Sequence, residues 1–324
     1  MGVVVSAPSR LHLGFIDLNG RYGRIFGSIG VALERPRCVV EAHRADANRK
    51  ATESVGELLE TLERLGPSVG LAGSVSLRVL ESIPSHVGLG SGTQRRLAMG
   101  LALAMLADRP LPAAELARIL GRGQRSGVGI AAFHRGGFVV DAGRRCQNGG
   151  RAVVADEVPP VVVQHAVPKD WYFVIVVPAG VEGLSGAREQ YAFTTLPPMS
   201  DPTADRISRL ALMKVIPGVL TDDIAGFGEA LTEIQTLVGE YFAPVQGGVY
   251  ATAVGARVAD FARAQGAAGV GQSSWGPAVF ALVRGEAHAR DLAAEIGRFL
   301  GPGAADVIFF TRADNTGATW QTAS

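Results

Sequence analysis

The segment Pro84-Ser85-His86-Val87-Gly88-Leu89-Gly90-Ser91-Gly92-Thr93-Gln94, followed directly by an apolar stretch from Arg95 to Ala107, constrains this chain more than any other. Glycines at 88, 90 and 92 favour a turn over a regular element, while the stretch that follows is apolar nearly all round and predicts a buried helix. Just before the loop, Val75, Leu77 and Val79 alternate with polar neighbours, so Ser74 to Glu81 predicts a half-buried strand. Strand, glycine loop and buried helix in that order make an anion site, because the first helical N–H groups lack partners and the helix dipole is positive there. Gly88, Gly90 and Gly92 let the backbone approach a phosphate, Ser91 and Thr93 add hydroxyls, and Gln94 either touches phosphate or caps the helix. The loop lacks the Gly-Lys-Ser/Thr ending of a P-loop and the G-x-G-x-x-G spacing of a dinucleotide fold. A strand-to-helix turn that binds nothing is the competing reading.

With 324 residues, 47% of them hydrophobic and 19% charged, the chain can fill a large core and predicts two domains. A net charge of +1, without runs of Lys or Arg, marks neither a nucleic-acid nor a membrane surface, so a small-molecule partner is expected. Cys38 and Cys146 are too few for a disulfide framework and have no metal-binding spacing. The first residues lack the order of a secretory signal, and the stretch from Leu97 to Ala107 is far shorter than the about 20 residues a bilayer crossing needs. A cytoplasmic location is the expectation.

Val3 to Val5 and Cys38 to His43 read as strands, with the glycine-rich segment Gly14 to Gly30 between them as a working loop. Helical spacing marks 53–65 through Glu53, Leu58, Leu59, Leu62 and Leu65, and a second helix spans 112–121. Gly136 to Asp141 is a turn feeding a strand, and the prolines at 159, 160 and 168 bracket a domain junction. Beyond it come a strand from Trp171 to Val177, helices near 202–216, 222–241 and 286–300, and strands near 278–283 and 306–311. The division expected is 1–165 and 166–324, an α+β organisation.

Three segments in the right order resemble the GHMP kinase superfamily: Ala7-Pro8-Ser9-Arg10-Leu11, the loop Pro84 to Thr93, and Gly266 to Gly271 with Ser273, Ser274 and Gly276. The resemblance implies an N-terminal domain like a ribosomal protein, a C-terminal ferredoxin-like domain, and an active site between them. The departures matter more. Where such kinases carry S-G-x-D, with the Asp activating the substrate hydroxyl, this chain has Ser126-Gly127-Val128-Gly129. The second Ser of the loop motif is Gly92, and Pro-Gly-Lys is Pro8-Ser9-Arg10. Phosphoryl transfer depends on those groups, so their joint loss argues for different chemistry. The wording of Pro8 to Asp17 together with Gly88 to Gln94 is similar to β-ribofuranosylaminobenzene 5'-phosphate synthases. That resemblance implies transfer of phosphoribosyl from phosphoribosyl pyrophosphate to 4-aminobenzoate, with loss of CO2 and pyrophosphate and with Mg2+, in the route to methanopterin-type carriers. An ATP-dependent small-molecule kinase and a non-catalytic binding protein on the same fold are the alternatives.

Such a reaction needs two phosphate groups held, an oxocarbenium-like carbon stabilised and an aromatic ring positioned. Asp17 and Arg24 are the catalytic candidates. Asp17 either ligates Mg2+ or faces the positive charge developing on ribose, and Arg24 pairs with phosphate or carboxylate; a mere surface ion pair is the alternative. Arg10 and His12 alternate along one strand face and are candidates for substrate contact, with a structural histidine equally open. In Gln272-Ser273-Ser274-Trp275, Trp275 either stacks on the benzoate ring or packs in the core, and Ser273 and Ser274 are placed with it in the binding set. Arg95, Arg96, Arg122 and Arg125 read as flank and surface charges, with one of them, not singled out by the sequence, a candidate to reach phosphate. The acceptor is 4-aminobenzoate or 4-hydroxybenzoate, and a homodimer is expected.

Overall fold

Two long strands, β1 (Gly2–Asp17) and β2 (Arg24–Arg44), pair antiparallel along their length and set the frame of the molecule. Most of the segment from Gly14 to Gly30, expected as a loop, is therefore strand, with only its middle turning between the two. Its glycines serve close packing and bends. A Cβ on Gly30 would stand 2.2 Å from Val128 Cγ1, and Gly14 is held at φ 135 where the register shifts past His12. The computed structural model describes residues 2–44, 55–71, 74–147, 152–154, 157–184 and 186–323; Glu53, the expected start of the first helix, lies outside them.

The N-terminal half continues with α1 (Val55–Val69), β3 (Val75–Glu81), α2 (Ser91–Leu106), α3 (Ala113–Ile119), α4 (Val128–Arg135), β4 (Phe138–Asp141), β5 (Arg144–Gln147), β6 (Ala152–Val153) and β7 (Val161–His165). Helix α2 starts four residues before the expected Arg95. Gly90, left-handed at φ 81, ends the loop, and its carbonyl accepts the N–H groups of Thr93 and Gln94 at 3.1 Å each. The apolar run does bury: Leu97, Ala98, Met99, Ala102, Leu103 and Ala104 are all at 0% exposure. Each large side chain of this kind contributes about 1.5–3 kcal/mol when removed from water.

The C-terminal half comprises β8 (Trp171–Pro178), α5 (Gly186–Thr195), α6 (Asp201–Leu210), a π-helical turn over 211–215, α7 (Ile216–Leu220), α8 (Ile224–Gln246), α9 (Ala253–Ala264), β9 (Gly269–Gln272), β10 (Val279–Arg284), α10 (Glu286–Leu300), β11 (Ala305–Arg312) and β12 (Thr319–Ala323). Helix α8 begins on an Asp223 cap, its side chain accepting the Gly226 N–H at 2.9 Å, and ends at Gly247 in the left-handed region. Its stripe Phe227, Leu231, Ile234, Val238 and Phe242 faces inward at helical spacing.

Two sheets result. One runs β12-β1-β2-β4-β7, with β3 and β5 also pairing with β2 and β6 with β5; the other is the antiparallel four-stranded sheet β11-β8-β10-β9. Helices α9 and α10 pack on the second sheet and close a small core with Val258, Ala262, Leu292 and Ile296. A larger core, from Leu11 and Leu97 to Phe227 and Phe280, runs through both halves. The expected division after residue 165 falls between β7 and β8, which belong to different sheets, but β12 crosses back to pair with β1, Ala323 opposite Gly2. Among the described residues no helix is long and apolar enough to cross a membrane.

Candidate active site

Strand β1 carries Arg10 to the glycine loop. The Arg10 backbone N–H donates to the Leu89 carbonyl at 3.1 Å, and its guanidinium Nη1 donates to the Gly88 carbonyl at 2.5 Å. A Cβ on Gly90 would lie 3.0 Å from Arg10 Cγ, so the glycine allows the guanidinium stem to lie flat on the loop. Gly88, at φ 91, sits against the 273–276 turn, where a Cβ would meet the Ser273 carbonyl oxygen at 2.4 Å. Arg122, from the segment between α3 and α4, approaches from the other side and donates through Nη2 to Thr93 Oγ1 at 2.8 Å. Helix α2 has no side-chain cap, so its first N–H groups at Ser91 and Gly92 add to this positive end. Burial pulls the Arg10 pKa down to about 10, with Glu189 opposing and Arg122 adding to the effect; burial and then Arg96 lower that of Arg122. Two cations held in partial burial at a helix N-terminus are a site prepared for an anion.

Of the four arginines left open by sequence, Arg122 is therefore the one at the loop. Arg95 pairs with Glu57 at 2.8 Å and Arg96 with Glu60 at 2.9 Å, tying α2 to α1. Arg125 pairs with Glu189 of α5 at 2.9 Å, and its guanidinium lies 4.7 Å from the Phe193 ring centroid. His86, at φ 57, is a turn residue whose carbonyl accepts the Gly183 N–H at 2.8 Å.

Several loop and third-motif residues hold the site together from behind. Ser273, fully buried, donates through Oγ to the Gly88 carbonyl at 2.7 Å and accepts the His12 N–H at 2.9 Å, which fixes the loop to β1. Gln94 donates to the Gly129 carbonyl at 2.7 Å and so binds α2 to α4, away from the cleft opening. At Gly129, where the resemblance places a kinase Asp, a Cβ would stand 3.1 Å from Thr93 Cγ2. At Gly92 the nearest atom to an added Cβ is Arg122 Nη2 at 3.9 Å, so a larger residue has room.

Next to the loop lies a narrow cavity lined by His12, Gly14, Phe15, Gln235, Val238, Gly239, Phe242, Gln246, Val249, Gln272, Ser274 and Trp275. No charged side chain is among them. His12 is 4% exposed, with its ring 4.6 Å from that of Phe15, and burial, followed by the nearby Arg10 charge, pushes its pKa down to about 3. The imidazole is neutral at physiological pH. Trp275 packs in the core, 4.3 Å from Phe242 and 5.5 Å from Phe193, and one side of it walls the cavity. Its Nε1 donates to Glu189 at 3.2 Å, which links the cavity wall to the arginines at the loop. Ser274, at φ 57, donates its N–H to the His12 carbonyl at 3.2 Å and also lines the cavity.

Asp17 and Arg24 stand at the tip of the β1–β2 hairpin. Asp17 Oδ1 accepts the N–H groups of Asn19 at 2.8 Å and Gly20 at 2.9 Å, which shapes the turn. Arg24 donates through Nε and Nη2 to the carbonyls of Ala142 and Gly143, both at 2.7 Å, and its guanidinium lies 3.5 Å from Glu157. Its donors are engaged in bracing that turn. Asp141, fully buried, braces the same turn from inside, accepting N–H from Gly127 and Gly143 at 2.8 Å; burial still raises its pKa to about 6. Phe26, held at φ 77, joins the hairpin tip to the site through Phe193, 5.6 Å away.

Sequence reasoning missed Glu189 of α5 and the α8 contribution of Gln235, Phe242 and Gln246. Gln235 carried a signal, as a lone buried amide in an otherwise apolar helical stripe. Glu189 carried none.

A model described as GHMP kinases N terminal domain matches residues 53–137, and one described as GHMP kinases C terminal matches 215–302. The chain is 33% identical to the Beta-ribofuranosylphenol 5'-phosphate synthase of Methanothermobacter thermautotrophicus, covering 98% of each chain. It is also 33% identical to the protein of that name from Methanocaldococcus jannaschii, over 72% of this chain and 77% of the other. Among solved structures, homoserine kinase from Cytophaga hutchinsonii aligns with a TM-score of 0.71 at 17% identity, covering 99% of this chain and 97% of that one, a likeness of fold.

Proposed function

The chain belongs to the GHMP kinase family, in the group of its Beta-ribofuranosylphenol 5'-phosphate synthase relatives, and from that premise we propose that it is a decarboxylating pentosyltransferase. It transfers phosphoribosyl from phosphoribosyl pyrophosphate to a para-substituted benzoate, releasing CO2 and pyrophosphate, in the cytoplasm and on the route to methanopterin-type carriers. The phenol in the relatives' name corresponds to 4-hydroxybenzoate as acceptor, with 4-aminobenzoate as its closest analogue.

The observation that carries this reading is the adjacency of the Arg10–Arg122 cation pair at the α2 N-terminus to a cavity of aromatic and neutral polar side chains. A diphosphate belongs at the first and an aromatic ring at the mouth of the second. The loop N–H groups, Arg10 and Arg122 take up the charge that grows on the departing pyrophosphate, so the stabilisation rises as the C1–O bond breaks. Trp275 and Phe15 hold the ring, and the bonds of Ser273 keep ring and phosphate sites at fixed separation. Glycine at 129 leaves no carboxylate to activate a hydroxyl, which suits a reaction whose nucleophile is a ring carbon. Arg24 acts by holding the 142–143 turn, and Asp17 shapes the adjoining hairpin turn through Oδ1.

Mg2+ fits as a companion of the diphosphate. The described residues contain no group of three or more His, Cys, Asp or Glu side chains that would hold a resident ion. Phosphate oxygens and water would supply most of its ligands, with Asp17 the one side chain proposed to contribute a carboxylate oxygen. Such an ion would offset the charge gained by the leaving group. A homodimer is the assembly proposed, and light scattering after size exclusion checks it.

The test is pyrophosphate and CO2 release from phosphoribosyl pyrophosphate with Mg2+, run with 4-hydroxybenzoate, with 4-aminobenzoate and without acceptor, beside an ATP control. Joint appearance of both products only with a benzoate supports the synthase. Absence of both with either acceptor sinks it.

A further inference from the structure

One of the residues that line the cavity carries a polar atom that the chain leaves unsatisfied. His12 Nε2 is buried without a hydrogen-bond partner, an arrangement that destabilises the fold until something meets it. The amides around it are engaged elsewhere. Gln235 donates to the Leu13 carbonyl and accepts the Gln272 N–H, both at 2.7 Å; Gln246 donates to the carbonyls of Gly248 and Val249 at 2.8 and 3.0 Å; Gln272 Oε1 accepts the Ala251 N–H at 2.7 Å. The cavity volume is ≈ 20 Å³, which admits one group the size of a water oxygen and no more. The nearest charge described around His12 is Arg10, on the same strand, which disfavours a cation in the cavity.

We propose that this cavity receives the para hydroxyl of the benzoate acceptor, that His12 Nε2 accepts its hydrogen bond, and that the imidazole takes the hydroxyl proton as the ring attacks. The inference rests on the decarboxylating synthase reading and deepens it. The ring lies at the cavity mouth against Trp275, with its carboxylate-bearing carbon turned toward the glycine loop. That carbon forms its bond to ribose C1 while the C1–O bond to pyrophosphate breaks, the electron pair leaving with the oxygen. Density from the para oxygen flows into the ring, its proton passes to Nε2, and a cyclohexadienone results. The bond from the ring to the carboxylate then breaks, its electron pair restores aromaticity, CO2 departs, and the imidazolium returns the proton to oxygen. A weakly basic histidine suits this step, because the hydroxyl becomes a strong acid only once the ring has given up its electrons. One acceptor atom in a water-sized cavity matches an O–H, whereas an amine brings two N–H donors.

The experiment compares wild type with His12→Phe and His12→Gln, following pyrophosphate release with 4-hydroxybenzoate, 4-aminobenzoate and 4-methoxybenzoate. Expected for His12→Phe is an about 10²-fold lower kcat with 4-hydroxybenzoate, KM for phosphoribosyl pyrophosphate within about twofold, and partial recovery in His12→Gln. The preference of wild type for hydroxyl over amine shrinks in His12→Phe, and 4-methoxybenzoate, having no O–H, is a poor acceptor for the wild-type protein. Equal losses with hydroxyl and amine, or no loss, overturn the proposal while leaving the synthase reading intact. Wild type inactive with every benzoate instead overturns that reading. A measurement on wild type alone guards against a variant that fails to fold: the His12 Nε2 nitrogen resonance shifts on adding 4-hydroxybenzoate and stays with 4-methoxybenzoate. A resonance that does not move for the hydroxybenzoate refutes the contact.

Discussion

At the glycine-loop end of the cleft, Arg10 and Arg122 face a helix N-terminus and the backbone itself does much of the binding, whereas the cavity end, a few residues away along β1, is walled by aromatic rings, engaged amides and a neutral histidine. Arg10 and His12 are two positions apart on one strand, yet one belongs to each end. The difference teaches how a single cleft manages two unlike partners. In the proposed reaction, charge is concentrated where the leaving group gains it, and excluded where the ring loses electron density into the forming bond.

The largest blow to the loop end is Arg122→Ala. Loss of a charge-assisted contact to phosphate lowers kcat/KM for phosphoribosyl pyrophosphate by about 10²–10³-fold, while KM for the benzoate changes little. Steady-state kinetics with each substrate varied in turn check the split, and an equal effect on both breaks the division of labour. Gly88→Ala follows. Its φ of 91 disfavours a side chain and the Cβ would meet a backbone oxygen at 2.4 Å, so a loss of about 2–4 kcal/mol in unfolding free energy is expected from denaturant titration.

The cavity end gives the pH dependence. The folded protein keeps His12 neutral down to about pH 3, whereas an unfolded chain protonates its imidazole near the ordinary value of 6.5. The stability this histidine leaves to the fold is therefore present above that ordinary value and drains away as pH falls toward the folded one, by at most about 1.4 kcal/mol per pH unit. Asp141 slopes the other way: raised to about 6, its contribution is present below the ordinary carboxylate range and is lost as pH rises through 6. Unfolding of wild type against His12→Phe between pH 4 and 7 isolates the first slope, because Asp141 is common to both. Parallel curves would erase the contrast between a charged and a neutral end. The smallest effect belongs to Gly92→Ser, which restores the kinase pattern in open space: melting stays within about 0.5 kcal/mol of wild type, and no ATP-dependent phosphorylation of homoserine or mevalonate appears.

The loop end was legible in the sequence because its signal is local. Glycines at fixed offsets before an apolar run locate strand, turn and helix together, and only the helix start moved, from Arg95 to Ser91, once Gly90 took the left-handed turn. The same glycine logic misread Gly14 to Gly30, since Gly30 exists to admit Val128 and not to bend the chain. The cavity end was largely hidden. Gln235, Phe242 and Gln246 reach His12 only after α8 folds across β1, more than two hundred residues away in sequence, and a helix's register says which face is apolar without saying what that face meets. Arg24 shows a related limit: the side chain was marked as important from its setting, but its partners are backbone carbonyls of residues 142 and 143 that no local pattern announces.

The return of β12 to β1 carries a consequence for synthesis. Nearly the whole described chain separates β1 from its outer neighbour, so at about 5–20 residues per second an open strand edge waits on the order of tens of seconds for its cover. Chaperone dependence during expression, and solubility lost on removing β12, are the practical marks of a sheet whose outer strand is made so long after the strand it covers.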